Sequence, residues 1–219
     1  MQALTVLFVL LASYILGAVP YGYIITKLST GKDVRMYESG RTGTTNTMRV
    51  AGLKAALLTM LLDVFKGCGA VWLAHSLMPQ SLWLQVLAPI AAIIGHNYSI
   101  FMLERTEDGT MHLKGGAGGA TSVGGAIGLW WPSIFYIVPI SIGLWFGVGY
   151  ASLATISVGI VAIIIFAYRA IFEQAAWVYV AYGVLTEIIV LWSLRPNIKR
   201  LLNGTERLVG WRARQSHKA

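Results

Sequence analysis

Long apolar runs, separated by short polar segments, recur along the whole chain. A helix that crosses the hydrocarbon layer of a bilayer needs about 20 mostly apolar residues, so these runs predict membrane-spanning helices. The predicted spans are Ala3–Thr26, Ala55–Leu77, Leu82–Leu103, Ser152–Tyr168 and Glu173–Leu194. The pattern predicts an all-α, polytopic helical bundle, with residues 1–219 forming a single integral membrane domain.

The stretch from Gly118 to Gly149 contains no charged residue. It is long for one helix and short for two complete spans, and Pro132 and Pro139 can break it into two short helices. The basic residues of the first connection and of the tail belong on the cytoplasmic side, which requires an even number of spans between them. The sequence thus predicts about seven transmembrane helices, with the N-terminus outside and the C-terminus cytoplasmic. One span plus a re-entrant segment is the alternative for residues 118–149.

Composition agrees with a membrane protein, because only 12% of the residues are charged whereas soluble domains average about 25%. The net charge of +8 does not indicate nucleic-acid binding, since the basic residues lie between and after apolar spans and suit anionic lipid instead. Cys68 is the single cysteine, which excludes a disulfide or a multi-cysteine metal site within one chain. The sequence does not indicate an oligomeric state.

Unusual polar chemistry is concentrated in three segments, about 27–54, 104–122 and 195–219, which the predicted topology places together on the cytoplasmic side. In the first segment, Glu38–Asn46 followed by Arg49 can present backbone N–H groups and a guanidinium to an anion. A flexible turn with a helix cap at Thr45 or Asn46 explains the same residues equally well.

The second segment contains Lys114–Ser122, a glycine-rich loop that opens into an apolar helix. Such a loop suits a phosphate group because its amides and the helix dipole point to one place. Close helix packing in lipid also uses glycine, but the adjacent lysine at the membrane edge favours phosphate. In the third segment, Asn197–Arg207 is typical of a basic amphipathic helix on anionic headgroups, and this interpretation is preferred when the segment is considered alone.

Ionisable residues within the predicted spans are costly and therefore informative. Asp63 and Lys66 share a helical face and can pair, either beside a substrate pocket or as a structural pair, and we favour the structural role. Glu187 is a candidate partner for a basic group. His96 can act as a base, although a lone histidine is more often a hydrogen-bonded structural residue. A phosphate-handling membrane enzyme with no nucleophile motif or carboxylate cluster would need a pre-activated substrate.

In order and spacing, these features resemble the motifs of the PlsY family, the bacterial acyl-phosphate:glycerol-3-phosphate acyltransferases. Ser39–Asn46 with Arg49 is similar to a family motif that reads roughly Gly-Ser-Gly-Asn-x-Gly-Ala-Thr-Asn-x-x-x-Arg, with small variations. Gly95-His96 and Lys114–Thr121 resemble a second motif, Gly-His followed by Lys-Gly-Gly-Lys-Gly-x-Ala-Thr. Asn197–Leu201 with Gly204-Thr205-Glu206 resembles the third family motif, and this is the closest of the three matches.

The resemblance implies transfer of a fatty acyl group from acyl phosphate to the 1-hydroxyl of glycerol 3-phosphate, giving lysophosphatidic acid for phospholipid biosynthesis. It implies no cofactor and no metal, and a multi-pass protein of the bacterial inner (cytoplasmic) membrane whose active site faces the cytoplasm. Acyl phosphate carries a good leaving group, so the protein would mainly position the substrates and stabilise charge.

The resemblance also implies roles for individual residues. Those that would bind and orient glycerol 3-phosphate as catalytic residues are Ser39, Arg49, Lys114 and Asn197. The loop from Gly115 to Thr121 would hold the acyl-phosphate head. The implied substrate-binding residues are Gly40, Arg41, Thr45, Asn46, His96, Gly115, Gly116, Gly118, Gly119, Thr121 and Glu206.

Some positions that bear on the substrate sites depart from the family pattern. Arg41 replaces an asparagine, Ala117 removes a lysine from the phosphate loop, Gly119 also alters that loop, and Leu194 stands where a histidine is frequent. Arg41 can restore the charge lost at Ala117 if the two loops meet. Two alternatives therefore stay open: a relative that acylates another phosphorylated alcohol, and a non-enzymatic membrane transporter or scaffold for anions or lipids.

Overall fold

A computed structural model describes residues 1–105 and 109–216, with side chains described to residue 213. Its helices are α1 (Gln2–Ala18), α2 (Tyr21–Thr30), α3 (Thr44–Leu77), α4 (Leu82–Asn97), α5 (Gly119–Leu129), α6 (Ile134–Gly143), α7 (Ala151–Phe172), α8 (Val178–Ser193), α9 (Arg195–Leu202) and α10 (Gly210–Ser216). Short 3-10 turns occur at Val34–Met36, Ile100–Met102 and Trp131–Ser133, and α6 continues as a π-helical turn, Leu144–Val148. Two strands, β1 (Leu103–Arg105) and β2 (Met111–Leu113), form an antiparallel hairpin.

Several helical segments are long and apolar enough to cross a membrane. Within the described ranges there are five, namely Gln2–Thr30, Thr44–Leu77, Leu82–Met102, Trp131–Val148 and Ala151–Phe172. Helices α8 and α9 pass the same test as a pair bent by 68° and form a sixth candidate. Many large apolar side chains on the outer surface are exposed, among them Phe8, Trp72 and Ile164. The predicted all-α membrane bundle is confirmed at this level.

The uncharged stretch divides near Pro132, as the sequence predicted, into α5 and α6. Pro139, in contrast, lies inside α6 and does not end it. Helix α5 has 11 residues and at about 1.5 Å per residue is roughly 16 Å long, which is about half of the hydrocarbon thickness. By length alone, α5 falls short of a full span.

Helix α3 begins at Thr44, well before the predicted start of its span at Ala55. The helix bends at Gly52, whose φ of 84° is strained for residues with a side chain. The segment before the bend carries the helical half of the first polar motif, including Arg49. Because the residues of this segment are polar, the apolar pattern of the sequence did not predict that the helix begins here.

The hairpin was not predicted and is the one strand element in the described residues. It lies between α4 and α5, and its first strand includes the beginning of Glu104–Asp108, an acidic stretch that stands as an insertion before Lys114. Residues 106–108 of that insertion lie outside the described residues.

Helix α5 is packed against α3, α4, α7 and α8. A Cβ atom on its Gly124 would lie 1.9 Å from the carbonyl oxygen of Val64, so only glycine permits this approach to α3. On the other side of α5, Phe166 and Tyr182 are the largest side chains of the main apolar core. Because α5 is tightly surrounded, its N-terminus is held in place.

Candidate active site

A cavity of about 120 Å³ opens where the three polar segments meet. The residues that line it come from all three segments, from the interior of α3, from the C-terminal ends of α4 and α8, and from the start of α7. They are Ser39, Arg41, Gly43, Thr44, Thr45, Asn46, Arg49, Asp63, His96, Ala117, Gly118, Gly119, Ala120, Ala151, Ser152, Thr155, Leu194, Asn197, Arg200, Glu206 and Arg207.

Arg41 joins three parts of the chain beside this cavity. Its Nη1 atom donates to the Gly116 carbonyl at 2.9 Å and to the Ser193 hydroxyl at 3.0 Å, and Nη2 donates to the Ser193 carbonyl at 2.6 Å. The backbone N–H of Thr42 also donates to the Gly115 carbonyl at 3.2 Å. The two loops therefore meet, as restoration of the lysine charge by Arg41 requires. Burial lowers the pKa of the Arg41 guanidinium, but arginine stays protonated.

The first loop folds onto the start of α3 through Asn46. Its Nδ2 atom lies 3.0, 3.2 and 2.8 Å from the carbonyl oxygens of Val34, Tyr37 and Arg41. The amide group of Asn46 is thus used to shape the loop. Arg49, one turn along, reaches the C-terminal tail and donates to the Leu208 carbonyl at 3.3 Å.

The glycine-rich loop lies directly on the C-terminal end of α4. The Gly116 N–H donates to the His96 carbonyl at 2.9 Å, and a Cβ atom on Gly116 would lie 2.0 Å from His96 Nε2. Gly118 has a φ of 89° and precedes α5, which has no side-chain cap at its N-terminus. The first N–H groups of α5 therefore have no intrahelical partner and lie at the cavity.

A buried ionic cluster lies at the inner end of the cavity. Lys66 Nζ is 2.8 Å from Asp63 Oδ1, and both side chains are 1% exposed, so the predicted pair is confirmed. The His96 Nδ1 atom lies 3.6 Å from the same carboxylate oxygen, and Lys66 also donates to the Val19 carbonyl at 2.5 Å. The cluster ties α3 to α4 and to the break between α1 and α2, and Asp63 and His96 also line the cavity.

Glu206 organises the tail. Its two carboxylate oxygens accept hydrogen bonds from Asn197 Nδ2 at 2.8 Å and from Arg200 Nε at 2.9 Å. An ionised carboxylate only accepts hydrogen bonds, so Asn197 must present its NH₂ group to Glu206. The Oδ1 atom of Asn197 is buried with no partner among the described residues. It is available to accept a hydrogen bond from a bound hydroxyl group.

Several predicted residues do not line the cavity, namely Gly40, Lys114, Gly115, Gly116 and Thr121. Lys114 is paired with Glu104 of the hairpin, and the hydrogen bond between them lowers the pKa of Glu104. Thr121 is fully buried within the helix bundle. Gly115 and Gly116 support the loop from behind through their contacts with α4.

The sequence analysis did not single out Ser152, Thr155, Arg200 or Arg207, which also line the cavity. Ser152 belongs to an apolar helix, and its buried hydroxyl has no partner in the described part of the chain. The two arginines lie in a tail that contains many basic residues, and nothing in their spacing indicates which side chains turn inward. Within the described residues, no group of three or more His, Cys, Asp or Glu side chains is placed to hold a metal ion.

Taken together, the cavity is suited to a phosphate group. Four arginines line it among the described residues: Arg41, Arg49, Arg200 and Arg207. Guanidinium groups bind phosphate through paired hydrogen bonds, and a helix N-terminus adds backbone donors. The free Oδ1 of Asn197 and the Ser152 hydroxyl provide partners for a polar group beside the phosphate.

Comparison with known proteins gives a consistent result. The sequence model of the family described as glycerol-3-phosphate acyltransferase matches residues 7–204. Glycerol-3-phosphate acyltransferase 3 of Dehalococcoides mccartyi is 35% identical, covering 95% of this chain and 97% of the relative. Glycerol-3-phosphate acyltransferase of Rubrobacter xylanophilus is 37% identical, covering 96% and 98%. The crystal structure of PlsY, an integral membrane glycerol 3-phosphate acyltransferase, in its glycerol 3-phosphate form superposes with a TM-score of 0.79 at 27% identity, covering 94% of this chain and 96% of that one.

Proposed function

The chain belongs to the glycerol-3-phosphate acyltransferase family, and we propose that it uses acyl phosphate to acylate glycerol 3-phosphate at the arginine-lined cavity. It is a multi-pass membrane acyltransferase whose product is lysophosphatidic acid, an intermediate of phospholipid biosynthesis. One observation supports the donor and the location most directly: the arginine side chains, the N-terminus of α5 and a free amide oxygen converge on one cavity. Such a site can hold two phosphorylated substrates side by side.

Arg49 and Arg207 are proposed to bind the phosphate of glycerol 3-phosphate. Both line the cavity, and within the described residues neither has a carboxylate at hydrogen-bond distance, since the Glu38 carboxylate is about 4 Å from each. The Asn197 Oδ1 atom accepts a hydrogen bond from the 1-hydroxyl, which orients this oxygen for attack. Glu206 positions Asn197 and holds Arg200 beside it.

The acyl phosphate is proposed to place its phosphate at the N-terminus of α5. The N–H groups that follow Gly118 face the cavity, and Arg41 adds positive charge at the same loop. The hydroxyl oxygen attacks the acyl carbon, the C–O bond to the leaving phosphate breaks, and the hydroxyl proton passes to a substrate phosphate oxygen. This reaction needs no nucleophile from the protein, and the rate gain comes from orientation and from stabilised charge.

Donor choice can be tested with the purified protein in detergent. Given glycerol 3-phosphate and palmitoyl phosphate, we expect lysophosphatidic acid to form, whereas palmitoyl-CoA should support less than about a hundredth of that rate, because its acyl carbon is bonded to a bulky thiol and not to a phosphate that the N-terminus of α5 can hold next to the acceptor. Mass spectrometry of the product would measure both rates. Equal rates with the two donors, or no product from acyl phosphate, would contradict the proposed donor.

An acceptor panel tests the remaining alternative. Leu194 and Ala117 both line the cavity, so the altered positions do contact the space available to substrates. Glycerol 3-phosphate is expected to exceed other phosphorylated alcohols in kcat/KM, because Asn197 orients a hydroxyl at one distance from the bound phosphate.

Seven spans, with the cavity on the cytoplasmic side of the bacterial inner membrane, are proposed as the topology. Both α5 and α7 begin at the cavity, at Gly119 and Ala151. The chain leaves the cavity along α5 and returns to it along α6, which supports counting α5 as a short crossing. The basic connection and the basic tail then share the cavity side, as the positive-inside rule favours.

Cysteine labelling distinguishes this topology from a re-entrant loop. In a Cys68→Ala background, Trp131→Cys in the exposed α5–α6 connection should react with an impermeant maleimide from outside the cytoplasmic membrane. Lys54→Cys, on the opposite side, should react only after the membrane is permeabilised. Labelling of Trp131→Cys that also requires permeabilisation would contradict seven spans.

A further inference from the structure

Glu38 adopts an unusual backbone conformation immediately before Ser39 of the cavity wall. Its φ of 53° lies in the left-handed region, which residues with a side chain rarely occupy. A strained residue of this kind persists where the surrounding structure requires it, and such positions cluster at functional sites. The left-handed backbone of Glu38 therefore makes its side chain a candidate for a role at the cavity.

The Glu38 carboxylate lies between two arginines of the cavity. Its Oε2 atom is 4.0 Å from Arg49 Nη1 and 3.9 Å from Arg207 Nε. These distances exceed hydrogen-bond range, so the two pairs are ionic and loosely held. The side chain of Glu38 is 48% exposed and is not part of the cavity lining.

The second carboxylate of the tail behaves differently. Glu206 is 5% exposed and forms hydrogen bonds of 2.8 Å to Asn197 and 2.9 Å to Arg200. It is a fixed part of the wall. The Glu38 carboxylate, in contrast, makes no hydrogen bond to the other described residues. It can therefore turn toward solvent without losing one.

We propose that Glu38 is an internal competitor of the substrate phosphate, pairing with Arg49 and Arg207 in the empty cavity and yielding these two arginines to the phosphate that enters. This inference rests on the proposed function, because it takes these arginines as the binding site for the glycerol 3-phosphate phosphate group. Glu38 is a positioning residue: it holds the two guanidinium groups at the cavity edge and limits how tightly they bind a dianion. This limit on phosphate affinity also assists release of lysophosphatidic acid, because its phosphate is bound by the same two arginines.

Glu38→Gln removes the charge and keeps the side-chain volume. Since each loosely held surface pair changes an equilibrium by a small factor, loss of both should lower the KM for glycerol 3-phosphate by about fivefold. The inhibition constant for inorganic phosphate should fall by a similar factor. A purely structural role for Glu38 predicts the opposite, because a damaged site binds phosphate less well.

Three further variants complete the experiment. Glu38→Gly removes the same charge and also relieves the left-handed strain, so it should show the same two decreases even if Glu38→Gln folds poorly. Glu173→Gln is the matched control, because Glu173 forms an exposed pair with Arg169 at the end of α7 remote from the cavity, and both constants should stay at wild-type values. An unchanged or raised KM or inhibition constant in both Glu38 variants overturns the inference. Arg49→Ala separates the two proposals, since a normal KM in that variant overturns the phosphate site itself.

Discussion

Replacing Arg49 with alanine is expected to lower kcat/KM for glycerol 3-phosphate by about 100-fold, mainly through a higher KM. Arg49 lines the cavity, and its side chain is only 20% exposed. In the proposed complex Arg49 pairs with the substrate phosphate. Removing one partner of such a partly desolvated charge pair costs about 2–5 kcal/mol, and about 3 kcal/mol corresponds to a change of about 100-fold in kcat/KM. Steady-state kinetics with varied glycerol 3-phosphate at saturating donor would measure the change.

Lys54→Ala is the matched control for this variant. Lys54 lies on the same helix, beyond the bend at Gly52, and is exposed. It should keep wild-type kinetics, because its charge is not directed at the cavity. Arg49 also donates to the Leu208 carbonyl, so the melting temperature of both variants should be compared. An unchanged KM in a folded Arg49→Ala protein would remove Arg49 from the acceptor site.

Replacing Gly116 with alanine is expected to lower kcat by about 100-fold, although Gly116 does not line the cavity. The new Cβ atom would lie 2.0 Å from His96 Nε2, and the imidazole is 6% exposed and cannot easily move away. The loop must therefore shift, and it carries the N-terminus of α5 with it. A displacement of about 1 Å of groups that position a substrate can cost about 100-fold in rate.

Two further variants test this explanation. Gly143→Ala places the same methyl group where no atom lies within 4 Å, and it should leave activity unchanged. In a His96→Ala background the Cβ atom has room, so Gly116→Ala should lower kcat much less there than it does in the wild-type protein. Wild-type kcat in Gly116→Ala, or an equally large effect of Gly116→Ala in both backgrounds, would argue against a clash at His96.

The sequence predicted the membrane helices well because their apolar length is set by the bilayer itself. The end of α3 at Leu77 and the start of α4 at Leu82 agree with the predicted bounds. The meeting of the three polar segments agrees with the predicted topology, which combined the count of apolar spans with the positive-inside rule for the first connection and the tail.

Side-chain direction was harder to predict, because it depends on contacts between distant parts of the chain. Lys114 was predicted to be one of the four catalytic residues that bind and orient glycerol 3-phosphate, yet it pairs with Glu104 of the hairpin and does not line the cavity. Asn46 fits an anion site by composition, but its amide is used by three carbonyl groups of its own loop. Arg200 pairs with Glu206, six residues along the tail, and Arg207 lies near Glu38 of the first polar segment; sequence spacing alone does not indicate which basic residues of the tail make these pairs.

The Arg41 contacts have a consequence for how this enzyme can vary. Its guanidinium binds the main-chain oxygens of Gly116 and Ser193, and only one of its contacts is to a side chain, the Ser193 hydroxyl. Main-chain oxygens persist whatever residue occupies a position. Substitutions at residue 193 can therefore accumulate at little cost to the joint between the loops and α8. Genetic drift is constrained at Arg41 itself, where a single codon change removes the donors of all three bonds at once.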